Sequence, residues 1–307
     1  MKLAVEEREF DTYLRSAAFA FLDSVTTKVG GPVRYADVSE FVFDGQRIPL
    51  MPTQQGIRKP RQLSAALSFV TVHAARPDQR PYDDLPGDDG YLRYKWQGFD
   101  SNASTNVALR EACREQRPLI WFQGIASGLY LPVYPVWLVD EEPAAHQFVV
   151  ALDGEQADRW FGAGGIDLNA RRRYAERTVR QRLHQPLFRA RVLHAYENRC
   201  SICRLRHTEL LDAAHISGDA EGGDPLVTNG IAMCKVHHAA FDHNLMGIRP
   251  DHRVEVRSDL LTEIDGPTLR YSFQELHGTS IRLPRQRAAS PDAARLEERY
   301  QRFLEAG

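Results

Sequence analysis

The 307-residue chain has no apolar run of the roughly 18 residues that a membrane-spanning helix needs. Its first residues, "MKLAVEEREFDTYL", carry acids where a signal peptide would have its apolar core. Cysteine is scarce. Cys113, Cys200, Cys203 and Cys234 are too few to staple a chain of this length. Charge of one sign is also missing: the net charge of −2 gives no global nucleic-acid signal, so any such signal must be local. No internal repeat is visible, which excludes a solenoid. These absences lead us to expect a cytoplasmic protein with no membrane partner, in a compartment where clustered cysteines signal metal and not disulfides. What is present is ordinary for a soluble globular protein, with 43% hydrophobic and 26% charged residues, and the length suits two domains.

Residues 8–29 are apolar at helical spacing and predict a helix ending near "GGP". "YADVSEFVF" predicts a second short helix. From Leu67 the texture changes to short aromatic and β-branched runs bounded by turn residues: "LSFVTVH", "GYLRYKW", "PLIWFQGI", "PVYPVWLV" and "HQFVVAL". "STNVALREACREQ" between two of them predicts a helix, and Cys113 reads as an ordinary residue of it. "GEQADRWFGAGG" reads as the start of a glycine-bearing linker over 154–170. The following stretch predicts a helix broken at Pro186, with eight arginines and one acid between Arg171 and Arg191. Such a helix is either a solvated face or a phosphate-contacting surface, because arginine offers a bidentate fork to phosphate oxygens. Further on, "LRYSF" predicts a strand, and a last helix is expected to be capped near Ser290.

The clearest chemistry lies in two pairs. "CSIC" supplies Cys200 and Cys203, and "CKVH" supplies Cys234 and His237. Two pairs, each spaced by two residues, close a tetrahedral zinc site on two knuckles. With all four positions taken by protein, that zinc is structural. A second histidine, His238, directly follows the first. His215 ends an apolar run in "DAAHISGDAEGG", and Asn229 opens another in "VTNGIAMC".

The order His215, Asn229, His238, set on strand, loop, strand and helix beside zinc knuckles, resembles the HNH nuclease family over roughly Tyr174 to Arg249. The resemblance implies a ββα-metal fold that hydrolyses DNA phosphodiester bonds. His215 would be the general base that deprotonates the attacking water. Asn229 would hold the loop and orient that imidazole. His238 would bind a catalytic Mg²⁺ or Mn²⁺ beside the scissile phosphate. Many family members carry an aspartate directly before the base histidine; this chain has Ala214. Asp242, four residues after His238 and so on the same helix face, is the expected second ligand, with Asp212 as the other candidate. The arginine-rich helix then gains a DNA-backbone role, through Arg172, Arg173, Arg180 and Arg182.

Upstream, "RPYDDLPGDDGYLRYKWQG" places Tyr82, Tyr91, Tyr94 and Trp96 around four aspartates. Alternation puts Tyr94 and Trp96 on one strand face and Lys95 on the other. Aromatic strands and an acidic turn explain this stretch by themselves. In the order of its pieces, however, Gly56 to Asp153 resembles the SET-and-RING-associated domain, a PUA-like barrel that flips a modified cytosine out of duplex DNA. The glycine-rich run typical after the tyrosine strand is replaced here by "KWQGFDSNAS". The resemblance implies a pocket with Tyr82 and Tyr94 as stacking walls, Asp84 or its neighbour Asp83 accepting from the cytosine amino group, and Trp96 in the lining.

The expected architecture is therefore α+β. A helical segment occupies 1–55, an SRA-like barrel reader 56–153, a linker 154–170, and an HNH endonuclease domain with zinc 171–307. The expected function is a modification-dependent restriction endonuclease acting as a homodimer on modified double-stranded DNA. The alternatives are an HNH nuclease whose N-terminal domain reads unmodified DNA, RNA or a small-molecule signal, and a non-catalytic zinc DNA-binding module.

Overall fold

The computed structural model describes residues 2–53, 56–73, 87–162, 168–218 and 225–307. The fold is mixed α/β and divides into two compact units, Met1–Leu187 and Phe188–Gly307. The division falls within the arginine-rich stretch, leaving Arg171 to Arg182 in the first unit and Arg189 and Arg191 in the second.

The first unit begins with α1 (Lys2–Val29) and the single turn α2 (Tyr35–Val38). Then come β1 (Val42–Phe43), β2 (Gln46–Arg47), β3 (Ile57–Arg58), β4 (Ser68–Thr71), β5 (Leu92–Lys95), α3 (Ser104–Arg114), β6 (Leu119–Ala126), β7 (Leu129–Glu142) and β8 (Gln147–Ala151). Helices α4 (Gly154–Phe161) and α5 (Leu168–Val179) close the unit. Six strands form one curled sheet in the order β3-β4-β6-β7-β8-β5. Among the described strands, only β4 and β6 run parallel, and α3 lies in the chain between them. Strand β7 pairs with β6 through its first part and with β8 through its last, with a register shift near Leu138 that bends it. Leu14, Ala18 and Leu22 of α1 share a core with Ile120 and Phe122 of β6. Arg15 is buried beside them, paired with Asp11 and donating to the carbonyls of Pro118 at 2.6 Å and Ala66 at 2.9 Å. A buried guanidinium is tolerable only with such partners.

Three local expectations fail here for identifiable reasons. The second helix over "YADVSEFVF" stops after one turn, because Asp44 and Gly45, both at positive φ, close a two-residue hairpin between β1 and β2. "GEQADRWF" is helix α4 and not linker: the Asp153 carboxylate accepts from the Gln156 amide at 2.6 Å and caps it. Downstream, "LRYSF" is mostly helical, because Pro267 sits in a first helical turn where its missing N–H costs nothing. The break expected at Pro186 takes the form of a π-helical turn over Arg180–His184, just before it.

The second unit continues along α6 (Gln185–Ala195) into the hairpin β9 (Leu211–His215) and β10 (Gly230–Cys234), then α7 (Lys235–Asp242). Strands β9 and β10 pair antiparallel, His215 opposite Gly230 and Leu211 opposite Cys234. A second hairpin, β11 (Met246–Ile248) with β12 (Val254–Val256), follows, then α8 (Ser258–Thr262), α9 (Pro267–Ser272) and α10 (Ala293–Ala306). Asp292 caps α10 by accepting from the Arg295 amide at 3.0 Å, close to the expected start at Ser290. One core holds the unit together, from Phe188 and Val192 of α6 through Ile231 and Met233 of β10 to Leu296 of α10. Among the described residues, no helix is long and apolar enough to cross a membrane.

Candidate metal centre and active site

Cys200, Cys203, Cys234 and His237 place their ligand atoms within 4.8 Å of one another. Local backbone explains the gathering. The Cys200 amide donates to the Leu205 carbonyl, and Arg204 takes a positive φ, so "CSIC" folds back as a knuckle. Cys234 ends β10 and stands at the N-cap of α7, which puts His237 one turn further on. His237 Nδ1 lies 3.2 Å from Cys234 Sγ and 3.4 Å from Cys200 Sγ. Its Nε2 lies 2.9 Å from the Ser272 carbonyl. Donation there leaves Nδ1 as the lone-pair nitrogen, the tautomer a metal ligand requires. Three sulfurs and one imidazole nitrogen in a closed cluster fit zinc.

The next residue points elsewhere, since consecutive helix positions are about 100° apart. His238 lies between two carboxylates. Its Nδ1 is 3.4 Å from Asp212 Oδ2 on β9, and its Nε2 is 3.3 Å from Asp242 Oδ2, one helical turn on. The hydrogen bond to Asp212 raises the His238 pKa, and the same bond holds the Asp212 carboxyl below its usual range. Arg189 of α6 stands 3.7 Å behind Asp212 and donates to the carbonyls of Thr208 and Leu211. The two aspartates thus address different ring nitrogens. An ion on Nε2 would meet Asp242, with Asp212 orienting the ring through Nδ1.

His215, at the end of β9, stacks on Phe188 with ring centroids 3.8 Å apart and an interplanar angle of 9°. Gly230 makes this possible: a Cβ there would lie 2.8 Å from Phe188 Cζ and closer still to Val192. Asn229, wholly buried, clamps the loop that follows His215. Its side-chain oxygen accepts from the Ser217 amide at 2.9 Å, its amide donates to the Ser217 carbonyl at 3.0 Å, and its own carbonyl accepts from the Ile216 amide.

His215, His238 and Asp242 line one groove of about 410 Å³, together with Arg299 and Arg302. The arginines come from α10, and the sequence reading missed them. Arg299 donates to Asn244 Oδ1 at 2.6 Å and to the Phe241 carbonyl, and lies over the Phe241 ring. Arg302 pairs with Glu298 at 2.8 Å. No local spacing links α10 to α7. The only available signal was a basic face on the terminal helix. Two imidazoles, a carboxylate and two guanidiniums around one groove are the chemical groups that phosphodiester hydrolysis can use.

Residues 200–249 match the family described as HNH endonuclease. The chain carries an HNH endonuclease domain. No curated protein matches it. Among solved structures it is similar to a modification-dependent TagI restriction endonuclease, at 17% identity and a TM-score of 0.31, covering 81% of this chain and 85% of that one. It is also similar to ScoMcrA, a type IV phosphorothioation-dependent restriction endonuclease, at 17% identity and a TM-score of 0.22, over 56% of this chain and 49% of that one.

The other expected residues are placed as follows. Tyr82, Asp83 and Asp84 lie outside the described residues. Tyr94 is buried, with its ring 4.6 Å from that of Phe69 and its hydroxyl donating to the Val70 carbonyl at 3.3 Å. Trp96 is buried near Phe148, under the Arg110 guanidinium. Arg172, Arg173 and Arg180 are exposed, Arg172 in an ion pair with Glu176. Arg182 donates to the carbonyls of Leu152 and Tyr134.

Proposed function

We propose that this HNH endonuclease is a modification-dependent restriction enzyme, which recognises 5-methyl- or 5-hydroxymethylcytosine by base flipping and hydrolyses the DNA nearby. The observation that carries the nuclease half is the groove in which His215, His238, Asp242, Arg299 and Arg302 meet. His215 takes the proton of a water whose oxygen attacks phosphorus, and the bond from phosphorus to the leaving oxygen breaks. Phe188 and Asn229 hold His215 and its loop in place for that transfer. His238 and Asp242 would hold a divalent ion, and Asp212 fixes the His238 ring through Nδ1. When bound, Mg²⁺ or Mn²⁺ supplies positive charge at the leaving oxygen. Arg302 meets the charge of the phosphate entering the groove, and Arg299 braces the end of α7. Cys200, Cys203, Cys234 and His237 would hold a structural zinc that ties the knuckle to α7.

For the reader half, the support is the resemblance of Gly56 to Asp153, with its aromatic strands folded into a curled sheet that we read as the reader's barrel. In this reading Tyr82 stacks on the flipped base, Asp84 accepts from its amino group, and Tyr94 and Trp96 form the packed floor behind it. Exposed Arg172, Arg173 and Arg180 contact the backbone. Arg182, already bonded to two carbonyls, contributes least. Cutting both strands takes two groups of catalytic residues, so the working form is a homodimer.

The test is one plasmid in four forms, unmodified, 5-methylcytosine, 5-hydroxymethylcytosine and glucosylated, incubated with the protein and Mg²⁺ or Mn²⁺. Cutting confined to a modified form is expected, and it should vanish in His215→Ala while DNA binding persists. Equal cutting of all four forms removes the reader and leaves a nuclease whose first unit serves another signal.

A further inference from the structure

Besides the exposed arginines of α5, the first unit carries a second basic feature. Two adjoining cavities, of about 540 and 330 Å³, share Arg58 and Lys59 in their lining. Arg47 of the β1–β2 hairpin and Arg61 line the larger one, and Ser104 and Thr105, which open α3, line the smaller. Among the described residues they form a trough with four cationic side chains and no carboxylate in its lining. In a chain of net charge −2, that segregation is local and marked.

The cations are held in place by the fold. Arg58 donates through Nε to the Pro49 carbonyl at 3.1 Å, and Lys59 donates to the Leu63 carbonyl at 3.0 Å. Arg47 donates to the Ser39 carbonyl at 2.8 Å and pairs at 2.5 Å with Glu40, which stands outside the lining. These bonds use few of the donors that three such side chains carry, because an arginine has five N–H groups and a lysine three. Arg47, Lys59 and Arg61 are exposed. Preordered cations with hydroxyls beside them suit oxygens of a polyanion, and they lose less side-chain entropy on binding than free ones would.

We propose that this trough is the principal DNA-backbone contact of the first unit, binding phosphates of duplex DNA through Arg47, Arg58, Lys59 and Arg61 with Ser104 and Thr105 as supporting donors. The assignment rests on the reading that the first unit contacts DNA. It sets the register of the duplex and reads no base, since phosphates carry no sequence information.

The experiment uses the full chain and a 30-base-pair duplex in buffer without added Mg²⁺ or Mn²⁺, titrated across a salt series. The triple variant Arg47→Gln, Lys59→Gln, Arg61→Gln removes three cations that do not sit in a core. If each meets one phosphate, the slope of log K against log salt falls by about 0.9 per contact, or roughly 2 to 3 in all, with about an eightfold loss of affinity per contact at 0.1 M salt. A control triple, Arg8→Gln, Lys28→Gln, Arg114→Gln, removes the same charge from exposed positions outside the lining and is expected to change the slope little. Unchanged affinity and slope in the trough variant would overturn the proposal, and so would an equal loss in the control. Tighter binding of an RNA duplex than of DNA would overturn the DNA assignment. The four-plasmid comparison is independent: equal cutting of all forms removes the reader without touching the trough.

Discussion

Replacing Gly230 with alanine tests the link between packing and catalysis. Gly230 pairs with His215 across the β9–β10 hairpin. A Cβ there would meet Phe188 Cζ at 2.8 Å and Val192 closer still, and neither neighbour is the loose end of a flexible chain. Overpacking of this kind costs about 1 to 3 kcal/mol. The second unit, Phe188–Gly307, has 120 residues, so each kcal/mol should lower its melting temperature by about 4 °C, for a total drop of roughly 4 to 12 °C. Phe188 is also the ring on which His215 stacks. Displacing it should move the imidazole and lower kcat even at temperatures where the unit is folded. The assays are calorimetric melting and single-turnover plasmid cleavage at 20 °C, with zinc content measured beside them. Adding Phe188→Leu should recover only part of the melting temperature, because it makes room on the ring side while Val192 still crowds the new methyl, and it should not recover the rate. Unchanged melting and cleavage in Gly230→Ala would refute the close packing of α6 on the hairpin. Full recovery of kcat in the double variant would refute the role of the stack.

Three further outcomes follow from the site. His237→Ala should lose zinc, whereas His238→Ala and Asp242→Ala should keep one zinc per chain by atomic absorption and need more Mg²⁺ or Mn²⁺ for cutting; zinc loss from His238→Ala would mean the two histidines have exchanged roles. Asp212→Asn removes the main cause of the raised His238 pKa. His238 must be neutral to bind a cation, so activity is lost as pH falls through its pKa, and in the variant that acid limb of the rate profile should move to lower pH; an unmoved limb would separate Asp212 from the ring. Burial pushes the Cys113 thiol up to about 12, so at pH 8 only about one in 10⁴ is thiolate. Alkylation of native zinc-loaded protein should therefore label no cysteine, and a strong chelator should expose Cys200, Cys203 and Cys234 but not Cys113, as counted by mass spectrometry.

Residue spacing alone marked the members of the Cys/His cluster. Cys200 with Cys203, and Cys234 with His237, lie within one turn of chain, where covalent geometry leaves few ways to arrange them. The rotation of a helix separates His237 from His238 and brings His238 onto the face of Asp242. Short-range patterns of this kind survive folding because they are set by dihedral angles and not by partners. Local turn chemistry was legible in principle: the Asp44–Gly45 hairpin and Pro267 overrode an apolar pattern, and the Asp153 cap starts a helix in a stretch whose glycines suggest a linker. Tertiary structure decided what joins the groove. Arg299 and Arg302 reach His215 from a helix some eighty positions away, Asp212 comes to the Nδ1 side of His238 across the strand–helix interface, and Arg182 turns to carbonyls beside α5. It also drew Tyr94 and Trp96 into an aromatic core. None of these placements has a spacing rule, because each depends on which apolar faces find one another, and burying apolar surface is indifferent to where along the chain that surface begins.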